Sequence, residues 1–192
     1  MGKDIWKLMS LVDLVNPKKS LKGKSAKIGN EFQKEINDVC KIYESMKVAY
    51  IQYFTPQVIY INDKFHPGKK FPIFVKKTGF DFIGGVVNPR NAIFIECKST
   101  KENGIPVFQE TTGIKTHQIE IMQWLESCGF LCLFLWKLRT AFVVYKFTPS
   151  QLLSAVGNKK QLTIIDAEEN RFPKVIKTKY LGQEYYDFLG VL

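Results

Sequence analysis

Residues 79–100 read GFDFIGGVVNPRNAIFIECKST. Two apolar runs rich in β-branched and aromatic residues, GFDFIGGVV (79–87) and AIFIECK (92–98), flank Asn88-Pro89-Arg90-Asn91, so the spacing predicts a β-hairpin. Side chains alternate along a strand, which puts Glu96 and Lys98 on one face, about 7 Å apart. Asp81 stands between Phe80 and Phe82 on the preceding strand, and the hairpin brings it beside Glu96. Gly84-Gly85 leaves room for a bulge or a close backbone approach. An E-x-K triplet alone says little, because the composition of this chain predicts about 1.4 of them by chance. Its place at the end of an apolar strand gives it weight, since charges there cost free energy unless a partner or a function accounts for them.

Upstream, VAYIQYFTPQVIYI (48–61) reads as extended structure interrupted at Thr55-Pro56. Before it, Ile28, Phe32, Ile36, Val39, Cys40 and Tyr43 form the apolar stripe of a helix from about Ser25 to Met46. DIWKLMSLVDLV (4–15) predicts a short amphipathic helix, and PKKSLKGKSAK (17–27) a flexible basic arm. Downstream, 99–114 reads as a loop. Thr116 opens a helix with Ile119, Met122 and Trp124-Leu125 facing inward, stopped by Gly129. FLCLFLW (130–136) and TAFVVYKF (140–147) read as strands, and Pro149 to Val156 as a short helix. The order predicts an α/β core of mixed strand pairing, with residues 28–192 as one domain behind the segment 1–27. The aromatic end, YLGQEYYDFL, fits a dimer contact or a docked tail equally well.

The chain carries a formal net charge of +10 and a pI near 9.4, which points to an acidic partner. The charge is unevenly placed: residues 1–30 contribute +5 and residues 61–78 contribute +4, leaving +1 for everything else. The second segment, INDKFHPGKKFPIFVKKT, is an insertion long enough to be functional. No apolar run reaches the roughly 20 residues of a membrane span, and the amino terminus has no signal-peptide core, so an intracellular, cytoplasmic protein is expected. Cys40, Cys97, Cys128 and Cys132 lack paired metal spacing and read as reduced, mostly buried thiols.

Asp81, Glu96 and the carbonyl oxygen of Cys97 form a set of hard oxygen donors suited to Mg²⁺ or Mn²⁺. Lys98 beside them can hold a water or stabilise charge developing on a phosphate. The alternative is a purely structural charge cluster.

At these residues the chain resembles the RecU family of Holliday junction resolvases, within the PD-(D/E)xK nuclease superfamily. Family strands T-D-Y-N-G and E-A-K-E-T correspond to Phe80-Asp81-Phe82-Ile83-Gly84 and Glu96-Cys97-Lys98-Ser99-Thr100. The family helix start H-Q-I-E-x-M corresponds to His117-Gln118-Ile119-Glu120-Ile121-Met122. Glu35-Ile36-Asn37 with Tyr43, and Thr55-Pro56-Gln57-Val58-Ile59, resemble the first helix and strand, so the similarity spans about residues 29–148.

The resemblance implies a restriction-endonuclease-like mixed sheet flanked by helices, with the basic insertion as a stalk entering the junction centre. It implies Asp81 and Glu96 as metal ligands, Lys98 as the catalytic lysine and Gln118 as an active-site residue. His117 and Gln118 also read as helix-start capping and orientation residues. The family's first helix commonly places a Glu four residues after a Gly. Here that position is Gln33, and Glu31 and Glu35 miss it by two.

DNA contacts are expected from Lys64, Lys69, Lys70, Lys76 and Lys77 on the stalk, and from Lys18, Lys19, Lys22, Lys24 and Lys27 on the arm. Phe65 and Phe71 either stack on bases or pack the stalk. The expected activity is a homodimeric, Mg²⁺-dependent endonuclease cutting four-way DNA junctions. Another nuclease of the superfamily, or a noncatalytic DNA-binding protein on the same fold, is the alternative.

Overall fold

A computed structural model describes residues 22–54, 58–62, 70–74, 79–88 and 91–191. The predicted helix 4–15 and Lys18 and Lys19 lie outside the described residues. The first helix, α1 (Lys22–Ser45), starts inside the segment read as a flexible arm, so Lys22, Lys24 and Lys27 stand on helical backbone. Phe32, Ile36, Val39, Cys40 and Tyr43 recur every three or four residues, and all are buried.

The central sheet contains β1 (Ala49–Tyr53), β4 (Phe82–Val86), β5 (Asn91–Thr100), β8 (Leu131–Leu138) and β9 (Val143–Phe147), in the order β1-β4-β5-β8-β9. Only β5 and β8 pair in parallel; the other neighbours are antiparallel. A parallel pair needs a crossover, and α2 (Thr116–Ser127) supplies it. That helix ends at Gly129, whose φ of +87° is costly for a side chain with a Cβ. Between β1 and β4, a separate antiparallel hairpin joins β2 (Val58–Asn62) to β3 (Lys70–Phe74), so the basic insertion contains paired strands and starts three residues earlier than the composition shift.

Each face of the sheet carries its own core. Ile93, Ile95, Leu133 and Leu135 pack against α1, while Phe94, Cys132, Phe134 and Trp136 pack on the opposite face against Ile119, Met122 and Leu125 of α2. Trp124 does not join them: it is 65% exposed. Adjacent helical residues lie about 100° apart, so Trp124 cannot share the face of Met122 two residues earlier.

The stretch 99–114 is not a loop. It contains the end of β5, then β6 (Gly104–Gln109) and β7 (Ile114–Lys115). Gly and Pro disguise β6, but Ile105 and Val107 alternate into the core. Its partner is β10 (Gln161–Thr163), which follows α3 (Pro149–Val156) and leads into α4 (Ile164–Glu169).

The carboxy-terminal region is built into the first core. Strands β11 (Ile176–Tyr180) and β12 (Gln183–Asp187) form a hairpin whose Tyr186, with Phe188 beyond it, is buried under α1. Tyr43 Oη donates to Asp187 Oδ1 at 2.7 Å and accepts from the Leu189 N–H at 3.1 Å, tying α1 to the end of the chain. Cys40, Cys97 and Cys132 are buried and Cys128 is exposed, all as free thiols. No helix among the described residues is long and apolar enough to cross a membrane.

The two strand glycines have different reasons to be there. A Cβ on Gly84 would sit 2.0 Å from the backbone oxygen of Tyr50 in β1, whereas on exposed Gly85 the nearest atom is 3.8 Å away. Gly84 is therefore the close approach and no bulge interrupts β4. Gly84→Ala should destabilise the protein by about 1–3 kcal/mol in urea unfolding, and Gly85→Ala should stay within about 0.5 kcal/mol of wild type. Equal effects would mean that β1 does not press on β4.

Candidate active site

Residue 81 precedes the first residue of β4 yet is held from both sides. Its N–H donates to the Ile95 carbonyl at 2.8 Å, and its carbonyl accepts from the Phe54 N–H at 2.7 Å. Phe82 pairs with Ile95, so continuing the register sets Asp81 opposite Glu96. The Asp81 carboxylate accepts the Cys97 N–H through Oδ2 at 2.9 Å. The Gln33 side chain, from α1, hydrogen-bonds the same carboxylate. Burial raises the Asp81 pKa, and the Cys97 N–H, Lys98 and Gln33 oppose the shift.

On β5, Ile95 and Cys97 face α1, while Glu96 and Lys98 take the face of Phe94, toward α2. Glu96 is 2% exposed. Its Oε1 meets Lys98 Nζ at 2.6 Å and accepts from Gln118 Nε2 at 2.6 Å. Gln118 Oε1 in turn accepts the Lys115 N–H at 3.0 Å, which fixes the orientation of the amide. Gln118 thus combines the capping role and the contact with Glu96. Neither contact to Glu96 uses Oε2. Burial pushes the Glu96 carboxyl up to about 8, with Lys98 opposing and Asp81 reinforcing the rise. Burial also holds the Cys97 thiol well above its ordinary range, so this residue offers its backbone and not a thiolate.

The structure brings Asp81, Glu96, Lys98, Gln118 and Gln33 together at the end of β5, where α1 and α2 converge from opposite faces of the sheet. Glu31 is exposed on α1, and Glu35 turns toward β8, where Lys137 Nζ meets its Oε1 at 2.8 Å. Lys70 opens β3, and Lys64, Lys69, Lys76, Lys77 and Phe65 lie outside the described residues. Reading the sequence missed Tyr53. It pairs with Phe82, and its phenol is raised by burial and then by Asp81 and Glu96. No local pattern marks it, because a long insertion separates β1 from β4.

Among the described residues no group of three or more His, Cys, Asp and Glu could hold a metal. Two carboxylates are what the site offers, with the Cys97 carbonyl next to Glu96 in sequence. That set suits a hard cation such as Mg²⁺, which commonly takes one or two carboxylates and completes its shell with water and substrate phosphate. It does not suit a structural zinc.

An α/β sheet that groups one buried and one half-buried carboxylate with a lysine is the arrangement expected from the sequence for a phosphodiester-cleaving nuclease. The model of the family described as RecU, Recombination protein U, matches residues 27–190. The chain belongs to that family, whose members are Holliday junction resolvases and therefore nucleases acting on branched DNA. It is also similar to the solved structure of Hjc, a Holliday junction resolvase from Archaeoglobus fulgidus, with 12% identity over 71% of this chain and 92% of that one and a TM-score of 0.43. No curated protein sequence matches the chain.

A buried carboxyl with a raised pKa keeps a proton that the unfolded chain has already lost. Stability therefore falls as pH rises from the ordinary glutamate value toward about 8. In EDTA, the stability difference between Glu96→Gln and wild type should move in favour of the variant by about 3 kcal/mol between pH 5 and pH 8, read by urea unfolding. A difference that stays constant with pH would show that Lys98 fully compensates the buried charge.

Proposed function

We propose that this chain resolves four-way DNA junctions as a homodimer, with Asp81 and Glu96 holding Mg²⁺ and Lys98 and Gln118 completing the site. The observation that carries this reading is the cluster of buried Glu96 and Gln118 with half-buried Asp81 and Lys98 in a member of the RecU family. Two-fold symmetry in the protein suits the pseudo-symmetry of a four-way junction and puts one site on each of two opposed strands.

The Asp81 carboxylate and Glu96 Oε2, which neither Lys98 nor Gln118 contacts, would hold the cation, with the Cys97 carbonyl as a third donor. A bound divalent ion supplies charge neutralisation at the phosphate and a more acidic water. The lysine ammonium has three donors and spends one on Glu96 Oε1, which leaves two for the phosphate or the attacking water. Gln118 keeps the Glu96 carboxylate from rotating. In the reaction, a water oxygen bonds to phosphorus as the bond to the departing sugar oxygen breaks in line with it.

Asp81→Asn should keep the carbonyl acceptor for the Cys97 N–H, and hence the fold, while losing the charge. It should bind junction DNA within about threefold of wild type and cut at least about 10²-fold slower. Cutting should require Mg²⁺ or Mn²⁺ and should favour a four-way junction over duplex of equal length. Equal cutting of both substrates would make the chain a different nuclease of the same superfamily. A variant that cuts at the wild-type rate would remove Asp81 from the site.

The basic insertion has the job of gripping the junction through phosphates. Replacing both Lys69 and Lys70 with Ala should lower the salt dependence of junction binding by about one to two counterions. An unchanged slope would return these lysines to an ordinary solvated surface.

A further inference from the structure

Beside Asp81, the surface dips into an open pocket of about 350 Å³ lined by Gln33, Lys34, Asn37 and Tyr53. Every lining side chain carries a hydrogen-bond donor and none is a carboxylate. Gln33 and Asn37 are one helical turn apart on α1 and so present the same face. Tyr53 closes the pocket from the end of β1. Its ring packs edge-on against Phe82 at 5.4 Å, which holds the phenol in place while 45% of the residue stays exposed. Burial, then the neighbouring carboxylates, raises the phenol above its ordinary value, so it remains an O–H donor at neutral pH. Gln33 belongs both to this pocket and to the Asp81 contact, so the pocket and the carboxylates are one side chain apart.

We propose that this pocket binds the phosphodiester next to the one being cut, with Tyr53 and Asn37 donating to its oxygens, Lys34 supplying the charge and Gln33 linking it to Asp81. The proposal rests on the resolvase reading and extends it to a neighbouring subsite. The one charged lining side chain, Lys34, is a cation and no lining carboxylate opposes it, which favours an anion, and the anion that must lie one nucleotide from a scissile phosphate is the next phosphate of the same strand. Such contacts fix position without reading sequence. The pocket thereby sets where the strand sits against Asp81 and Glu96.

The test uses four-way junctions built from synthetic strands in which single phosphates near the cut are replaced, one at a time, by neutral methylphosphonates. Cleavage by saturating full-length wild type is compared with the Tyr53→Phe, Asn37→Ala double variant. Neutralising one flanking phosphate should slow wild type about tenfold. The double variant should be about tenfold slower on the unmodified junction and lose less than about twofold more at that same position. Should the double variant fail to fold, Tyr53→Phe alone, which keeps the ring against Phe82, carries the same comparison. Losses that multiply at every position, or a variant that cuts the unmodified junction at the wild-type rate, would overturn the subsite. Wild type leaving four-way junctions uncut in Mg²⁺ would overturn the resolvase reading, and the subsite with it.

Discussion

The Asp81 carboxylate accepting the Cys97 N–H is the contact on which the rest of the site depends. Two backbone hydrogen bonds already anchor residue 81, one to Ile95 and one from Phe54. The side chain adds a third, to the residue between Glu96 and Lys98. A slip of one residue between β4 and β5 would send Glu96 and Lys98 to the face of α1 and separate them from Gln118. The apolar register guards against that slip, because Phe82 and Ile95, both fully buried, would be displaced with it. The same packing that defines the sheet therefore sets the distance between the two carboxylates.

Holding carboxylates in that position works against the fold. Glu96 is buried and its carboxyl is raised toward neutrality, and Asp81 is shifted in the same direction. Hydrogen bonds from three different elements offset the cost: Gln33 on α1, the Cys97 backbone on β5 and Gln118 on α2. Each donor is neutral, and only Lys98 brings charge. Asp81, Glu96 and Lys98 together carry a formal −1, which a divalent cation would turn to +1, the complement of a single phosphodiester. The near-neutral body of the chain is consistent with that arrangement. The large positive charge lies in the first 30 residues and the insertion, separate in sequence from the carboxylates.

Much of this was legible in residues 79–129. Alternation placed Glu96 with Lys98, the turn residues placed Asp81 opposite, and helical spacing selected Ile119, Met122 and Leu125. These are local signals, each complete within about twenty residues. Gln118 was legible only as a residue with two readings, because its contact with Glu96 spans a connection that no period describes. Trp124 was misplaced because an apolar residue beside a buried one was taken as part of the same stripe.

What escaped was non-local pairing. Strand β6 makes sense only once Leu162 is set against Ile105, nearly 60 residues away in sequence. The carboxy-terminal hairpin becomes part of the core only through Tyr43 and Asp187, which lie 144 residues apart. Tyr53 reaches the carboxylates by the same route, through a pairing with Phe82 that spans the whole insertion. In each case the partner that decides the residue's role lies far away in sequence, where no local period can point to it. The insertion could therefore vary in length and charge without moving Tyr53, since β1 is held to β4 by its own register and by the close approach at Gly84. The insertion and the carboxylate cluster can change separately in this fold because the sheet, and not the chain between its strands, carries the geometry of the site.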